Sequence, residues 1–500
     1  MQVLPAAYCR RMVALAAIAA ALGGAAEKAK IRQPEVAGSF YPANPQELTK
    51  MVDGLLARAQ APDPQDTLVA LVAPHAGYEY AGAVAAQSYA WVKGRKYARV
   101  VVIAPSHVDA FPFSSVYDGD AYATPLGLAP VDKEFARKLA GSDGSIRLSS
   151  RGHVIKGPQG EHALEDQLPW LQRTLGDFKV VPVIMGDQSY QSCRALGVAL
   201  AKLIRNGDTL IVASSDLSHF HTYDQASKMD AKTLRAIGEW DYLSMSRNFD
   251  AQVWEACGGG PIIAAMIAAE RLGANEARVL KYANSGDVTA DRTRVVGYGA
   301  AVLVKSAKPA AAVEPRFSLT DAEKEELLAL ARKSVEVAVT ERKIYNYPGT
   351  KLEALLQERG AFVTLKEKGE LRGCIGYVAA MKPLALTVRD VAALAAVKDS
   401  RFKPVTPAEL PKLEYEVSVL SPLRRVMDVK RIRVGVDGLV VRRGDSEGLL
   451  LPQVPVEQHW DRLTFLEQAC EKAGLPADAW RDPDTDIFSF TAVVFGPKNR

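Results

Sequence analysis

The chain has 500 residues, 48% hydrophobic and 24% charged, with 62 basic and 58 acidic side chains and a net charge of +4. That length is too great for one core and sets an expectation of two or three domains. The balanced charge, without a basic stripe interleaved with aromatics, argues against a nucleic-acid binder, and the five Cys show no CxxC spacing, which argues against a zinc knuckle or a disulfide framework.

At the N-terminus, Arg10 and Arg11 precede the apolar run Met12–Leu22 and the small residues Gly23, Gly24, Ala25 and Ala26. This is the layout of a secretory signal, with an apolar stretch too short to span a bilayer. Residues 1–30 are therefore read as a signal peptide or a disordered leader. Export to the periplasm is expected, with the cytoplasm as the alternative and no stable membrane insertion after leader removal.

From Asn44 to Ala59 the apolar spacing predicts a helix capped by Asn44. Thr67–Val72 and Val100–Ala104 are apolar, β-branched runs that read as buried strands, and Gly82–Val92 and Val131–Leu139 as helices. Gln159–Leu171 reads as the start of an amphipathic helix that would put His162 and Glu165 one turn apart. Val180–Met185 and Thr209–Ser214 are further buried strands. Ala226–Trp240 and Ile262–Leu272 are expected helices, and Arg278–Ala283 and Val295–Val304 close the sheet. Strands alternating with helices give an α/β, three-layer αβα domain over residues 32–305.

Residues 306–317 are Ala- and Pro-rich and read as a semi-rigid linker. Beyond it, residues 318–500 form a smaller α+β domain. Ser318 or Thr320 caps a helix, Ala361–Lys366 and Leu413–Leu420 are strands, and Leu371–Tyr377 reads as a Gly-broken turn. Leu449–Val454 is a short strand and Trp460–Ala473 a helix closed by Gly474.

The chemistry concentrates in the first domain. Six of the seven His precede residue 222. Two strands end in Ala-Pro and then deliver a histidine, His75 in APHAGYEYAG and His107 in APSHVDA. A proline stops the sheet ladder, and the following loop sits at the rim where open α/β sheets bind ligands. Two imidazoles converging there read as metal ligands. His162 in GEHALEDQLPW, Asp216 and His219 in SSDLSHF, and Cys257 in ACGGGP stand at other element ends. Imidazole with thiolate suits iron, copper or zinc better than magnesium or calcium. Cys257 precedes three Gly and a helix, where the helix dipole is expected to lower its thiol pKa. His153 and His221 read as surface residues.

These motifs, with AGSFYP near the start, resemble the Memo family, which is similar in fold to class III non-haem iron extradiol dioxygenases. The resemblance spans about residues 34–304. It implies metal ligation by His75, His107 and Cys257, with His162, His219 and Asp216 as catalytic groups and Tyr80 and Glu161 lining the pocket. The related dioxygenases complete a 2-His-1-carboxylate triad. A Cys in the third place changes the charge and softness of the site, so the resemblance alone does not imply extradiol ring cleavage.

In the second domain LRGCIGY, FKPVTPAELPKLEYEVSVL and GLLLPQVPVEQHWDRLTFLEQACEKAGL resemble the AMMECR family. The chain thus looks like a fusion of proteins B and A of the AmmeMemoRadiSam system. That resemblance implies a radical S-adenosylmethionine protein as partner. From the residues alone, Arg372 and Cys374 are the functional candidates of this half, Arg372 as a phosphate or carboxylate binder.

Two functions compete. One is a metal-dependent redox enzyme, iron first, using O2. The other is a metal-binding or recognition module that grips a small molecule, a peptide or a modified side chain without turnover. Neither a P-loop nor a dinucleotide GxGxxG follows a strand, so the substrate stays open.

Overall fold

The computed structural model describes residues 29–60, 65–154, 160–205, 207–306 and 318–496. The leader expected before residue 29 and the linker from residue 307 onward lie outside the described residues. Among the described residues no helix is long and apolar enough to cross a membrane.

The first half is built on a nine-stranded sheet. Its centre is four parallel strands in the order Thr67–Ala73, Thr209–Ser214, Arg99–Pro105 and Lys179–Met185. Each is an almost unbroken apolar run because helices cover both faces of a parallel sheet. Val69, Val101, Ile103, Val181 and Ile211 face one helical layer, and Leu68, Leu71, Val100, Val102 and Val212 face the other. Val295–Lys305 joins antiparallel to the Thr67 strand, and Ser114–Tyr117 antiparallel to the Lys179 strand. All four parallel strands point their C-terminal ends to one rim, and their register pairs Ala73 with Ser214 and Ile103 with Ala213.

The second half carries two four-stranded sheets. The helices Asp321–Thr340 and Leu384–Val397 pack over Ala361–Glu367, Glu370–Tyr377 and Leu413–Leu420. The helix Arg462–Lys472 covers the sheet of Gly438–Arg443, Ser446–Leu450 and Asp486–Phe490. The chain is thus mixed α/β, with a larger three-layer half and a smaller α+β half.

The two halves pack on each other. Leu420, Leu423, Val440, Phe488 and Phe490 join the same apolar cluster as the helices Tyr190–Leu203 and Gly259–Arg271. The carboxylate of Asp486, 3% exposed, sits at the centre of this contact. It accepts from Arg194 Nε at 2.5 Å, Arg271 Nη2 at 2.9 Å and Arg425 Nε at 3.0 Å. Two of those guanidinium groups come from the first half and one from the second.

Four sequence expectations need correction. His162 does not sit on a helix one turn from Glu165: the helix starts at Leu168, after a single tight turn over Glu165–Gln167. Leu371–Tyr377 is not a turn but lies in the strand Glu370–Tyr377. Gly373 is there because a Cβ would lie 2.3 Å from the Ala395 carbonyl oxygen of the helix packed on it. Residues 449–454 divide into the end of the Ser446–Leu450 strand and the start of the short helix Val454–Glu457. His153 is buried, its ring held between the Tyr122 hydroxyl at 2.6 Å and the Ser115 carbonyl at 2.9 Å.

Candidate metal centre

The rim of the parallel strands gathers His75, His107, Asp216 and His219. His75 follows Pro74 at the end of the Thr67 strand, and His107 follows the Arg99 strand by two residues. Asp216 follows the Thr209 strand, and His219 opens the short edge strand His219–His221. Cys257 arrives from the opposite direction, two residues before the helix Gly259–Arg271 that runs under the sheet. Gly258 makes this approach possible, because a Cβ there would lie 2.2 Å from the Ser214 carbonyl oxygen.

The hydrogen bonds fix which ring nitrogens face the centre. Ser214 Oγ donates its single proton to the Ala163 carbonyl at 2.6 Å. It therefore accepts from His75 Nδ1, 2.9 Å away. The lone pair of His75 is then on Nε2, which lies 3.1 Å from Cys257 Sγ. His107 Nδ1 lies 2.9 Å from a Glu161 carboxylate oxygen, and the His107 backbone N–H donates to the other oxygen at 2.6 Å. A carboxylate only accepts, so the lone pair of His107 is also on Nε2. One ligand atom each from His75, His107 and Cys257 lies within 4.8 Å of the others. A partner fixing the far nitrogen of each imidazole is the usual support of a metal ligand.

The surrounding groups set the electrostatics. Burial, with His107, His162 and His219 nearby, holds His75 well below its ordinary pKa. Burial also works against charge on His107, but the Glu161 carboxylate outweighs it and lifts the ring above the usual value. His162 stacks on His107 with ring centroids 4.8 Å apart, and burial together with the His107 charge brings it down to about 4. Burial lowers His219 as well. Burial raises Asp216 to about 7, against the His75 and Ala76 backbone N–H groups that favour its anion. The thiol of Cys257 is not lowered as the helix terminus suggested. Burial and then the neighbouring Asp216 carboxylate push it up, outweighing the Asp216 N–H that donates to Sγ at 3.3 Å. Ionising this sulfur takes a cation beside it.

The structure thus brings together His75, His107, Cys257, His162, Asp216 and Glu161. Glu161 is a supporting carboxylate: His107 and the backbone N–H groups of His162 and Ala163 occupy it. Tyr80 lies on the first turn of the Tyr78–Ala90 helix and is 39% exposed, and among the described residues no hydrogen bond joins it to the imidazoles. Arg372 is committed elsewhere, to Glu409 at 2.8 Å and the Lys403 carbonyl at 2.9 Å. Cys374 lies 3.3 Å from the Thr364 hydroxyl, and burial raises its thiol. Ser214 and Gln188 were not singled out from the sequence. Gln188 follows the Lys179 strand and bridges the Cys257 carbonyl at 2.9 Å and the Gly260 N–H at 2.7 Å. Its place after a parallel strand is the signal that would have found it.

The comparisons agree on what kind of chain this is. The family described as Memo-like protein matches residues 32–302, and the family AMMECR1 matches residues 328–495. A MEMO1 family protein of Methanopyrus kandleri is 37% identical over 282 residues, covering 54% of this chain and 98% of that protein. Another, from Aeropyrum pernix, is 38% identical over 283 residues, covering 54% of this chain and 99% of that one. A crystal structure of a Pyrococcus horikoshii protein is 40% identical and covers 36% of this chain and 94% of that chain, with a TM-score of 0.35. On the two family matches and the two MEMO1 family relatives, the chain belongs to the Memo-like protein family and carries an AMMECR1 domain fused after it.

Proposed function

We propose that the first half holds a mononuclear non-haem metal through His75 Nε2, His107 Nε2 and Cys257 Sγ. The observation that carries this is the meeting of one ligand atom from each of these residues within 4.8 Å of the others, with His75 Nε2 3.1 Å from Cys257 Sγ and both imidazoles oriented by partners on Nδ1. Iron is the first choice on the family resemblance, and copper or zinc suits the same donors. Bound iron would supply O2-dependent redox chemistry. Around it His162, His219 and Asp216 would hold and pass protons at the rim, and Ser214 and Glu161 keep the two rings aimed. Metal analysis of the purified protein against a His75→Ala, Cys257→Ala double variant tests the reading. Equal metal content in both would overturn it.

A second reading is a binder without turnover. The thiolate in the third ligand place, where related dioxygenases use a carboxylate, favours it. Oxygen uptake by the Fe(II)-loaded protein with catechols separates the two. Sustained uptake marks an enzyme, and tight metal retention without uptake marks a binder of a small molecule or modified peptide. Under either reading we propose a radical S-adenosylmethionine protein as partner, on the resemblance alone, and co-purification from the native host tests it.

A further inference from the structure

Between the two halves of the chain lies a groove of about 320 Å³ whose lining shares no residue with the metal centre. Its walls come from both sides. Arg235 lies on the Tyr223–Gly238 helix, with Glu239 just after it. Arg359 precedes the Ala361 strand, Arg424 and Phe490 belong to the second sheet of the AMMECR1 half, and Asp437 directly precedes its Gly438 strand. The groove continues into a second hollow of about 400 Å³, which shares Arg424, Asp437 and Ser489 with it and adds Arg425, Arg431 and Arg433.

This groove concentrates one sign of charge. Six guanidinium groups line it, against the three carboxylates of Glu239, Asp428 and Asp437. The carboxylates are already engaged. Asp437 takes a two-pronged contact from Arg433 at 2.7 and 3.1 Å. Glu239 lies 3.8 Å from Arg359, and Asp428 accepts from the Lys430 backbone N–H at 2.9 Å. Arg425 is held by Asp486. Among the described residues Arg235, Arg424 and Arg431 have no ion-pair partner. Arg359 is buried, and burial lowers its pKa, with Arg235 adding like-charge repulsion. Converging guanidinium groups repel, and a bound anion is what relieves them. Their planar forks match phosphate and carboxylate oxygens. The volume suits a small molecule rather than a folded partner, and Phe490 and Pro422 offer it an apolar wall.

We propose that this groove between the halves is a binding site for an anionic small molecule, a phosphate ester or a polycarboxylate with a compact apolar body. The site is complete only when the Memo-like and AMMECR1 halves are docked, since Arg235 comes from one and Arg359 and Arg424 from the other.

The test is calorimetric titration of the full-length protein with inorganic phosphate and, separately, with succinate, at constant ionic strength set by potassium chloride. Arg424→Glu and Arg235→Gln change side chains that make no ion pair. Lys50→Gln, on an exposed position of a distant helix, is the control. Saturable binding of one anion per chain, weakened about tenfold or more by each arginine variant and unchanged by Lys50→Gln, supports the proposal. Tighter binding of phosphate or of succinate assigns the ligand class. Retention of binding by Cys257→Ala separates this site from the metal centre. Absence of saturable binding for both anions, or equal binding by the arginine variants, overturns the proposal. Loss in Arg424→Glu with full retention in Arg235→Gln overturns the claim that both halves build the site.

Discussion

His75 Nε2 and Cys257 Sγ lie 3.1 Å apart although 182 residues separate them in the chain. The proximity depends on two local devices. Ser214 turns the His75 ring, and Gly258 lets the Cys257 segment reach the Thr209 strand.

The ring-orienting partners are therefore expected to govern metal retention. Ser214→Ala frees the tautomer of His75, and Glu161→Gln does the same for His107. Each is expected to weaken metal affinity about 10- to 100-fold, read by competition with a chromophoric chelator. Unchanged affinity in both variants would mean that the imidazoles do not ligate.

Gly258→Ala is a test of the approach itself. The added methyl would meet a backbone carbonyl oxygen and the Ser215 side chain rather than a flexible side-chain end. A loss of about 1–3 kcal/mol is expected from overpacking, seen as a lower denaturation midpoint. Metal content should fall with it, since Cys257 must move.

Arg32 is 3% exposed and donates to the Glu165 carboxylate and to the Glu161 carbonyl. The same Glu165 accepts from the Tyr41 hydroxyl and from the backbone N–H groups of Glu35 and Val36. Arg32→Ala leaves that acid buried without its counter-charge and is expected to cost about 3–5 kcal/mol in urea unfolding. Because Glu161 aims His107, the variant should also lose metal faster than wild type.

Asp486 gives a pH prediction. Burial opposes its charge, but Arg194, Arg271 and Arg425 overcome that and hold its carboxyl below the ordinary range. A group whose folded pKa is depressed adds stability that is present above its unfolded value of about 3.9 and is lost as the pH falls through the folded value. The contact between the halves should hold from neutrality down to about pH 4 and weaken below it. Asp486→Asn should remove that acid-side slope and cost about 3–5 kcal/mol at neutral pH, both read from denaturation midpoints against pH.

Much of this architecture was legible in the sequence because buried parallel strands announce themselves. The Thr67, Arg99, Lys179 and Thr209 strands are apolar throughout, and a Pro, Ser or Gly marks where each meets the rim. The residues after them therefore point to His75, His107, Asp216 and His219 from the sequence alone. The helix expected over residues 159–171 forms only from Leu168, and the Glu161 and Ala163 carbonyls before it are taken up by Arg32 and Ser214. The strand Glu370–Tyr377 was missed because its glycines answer to the helix packed on them, a tertiary demand that a local pattern does not carry. His153 and Asp486 show the same limit. The local sequence gives no sign of the burial of either, because their partners come from far along the chain.

The three guanidinium groups around Asp486 also bear on whether the two halves can be parted. An AMMECR1 half released on its own keeps one of the three, together with an uncovered apolar face at Leu420, Phe488 and Phe490. The Memo-like half alone keeps Arg194 and Arg271 without the carboxylate that joins them. Cutting this chain at the junction would strip a buried acid of two counter-charges and bare an oily face in one stroke, so the two halves are welded rather than strung together.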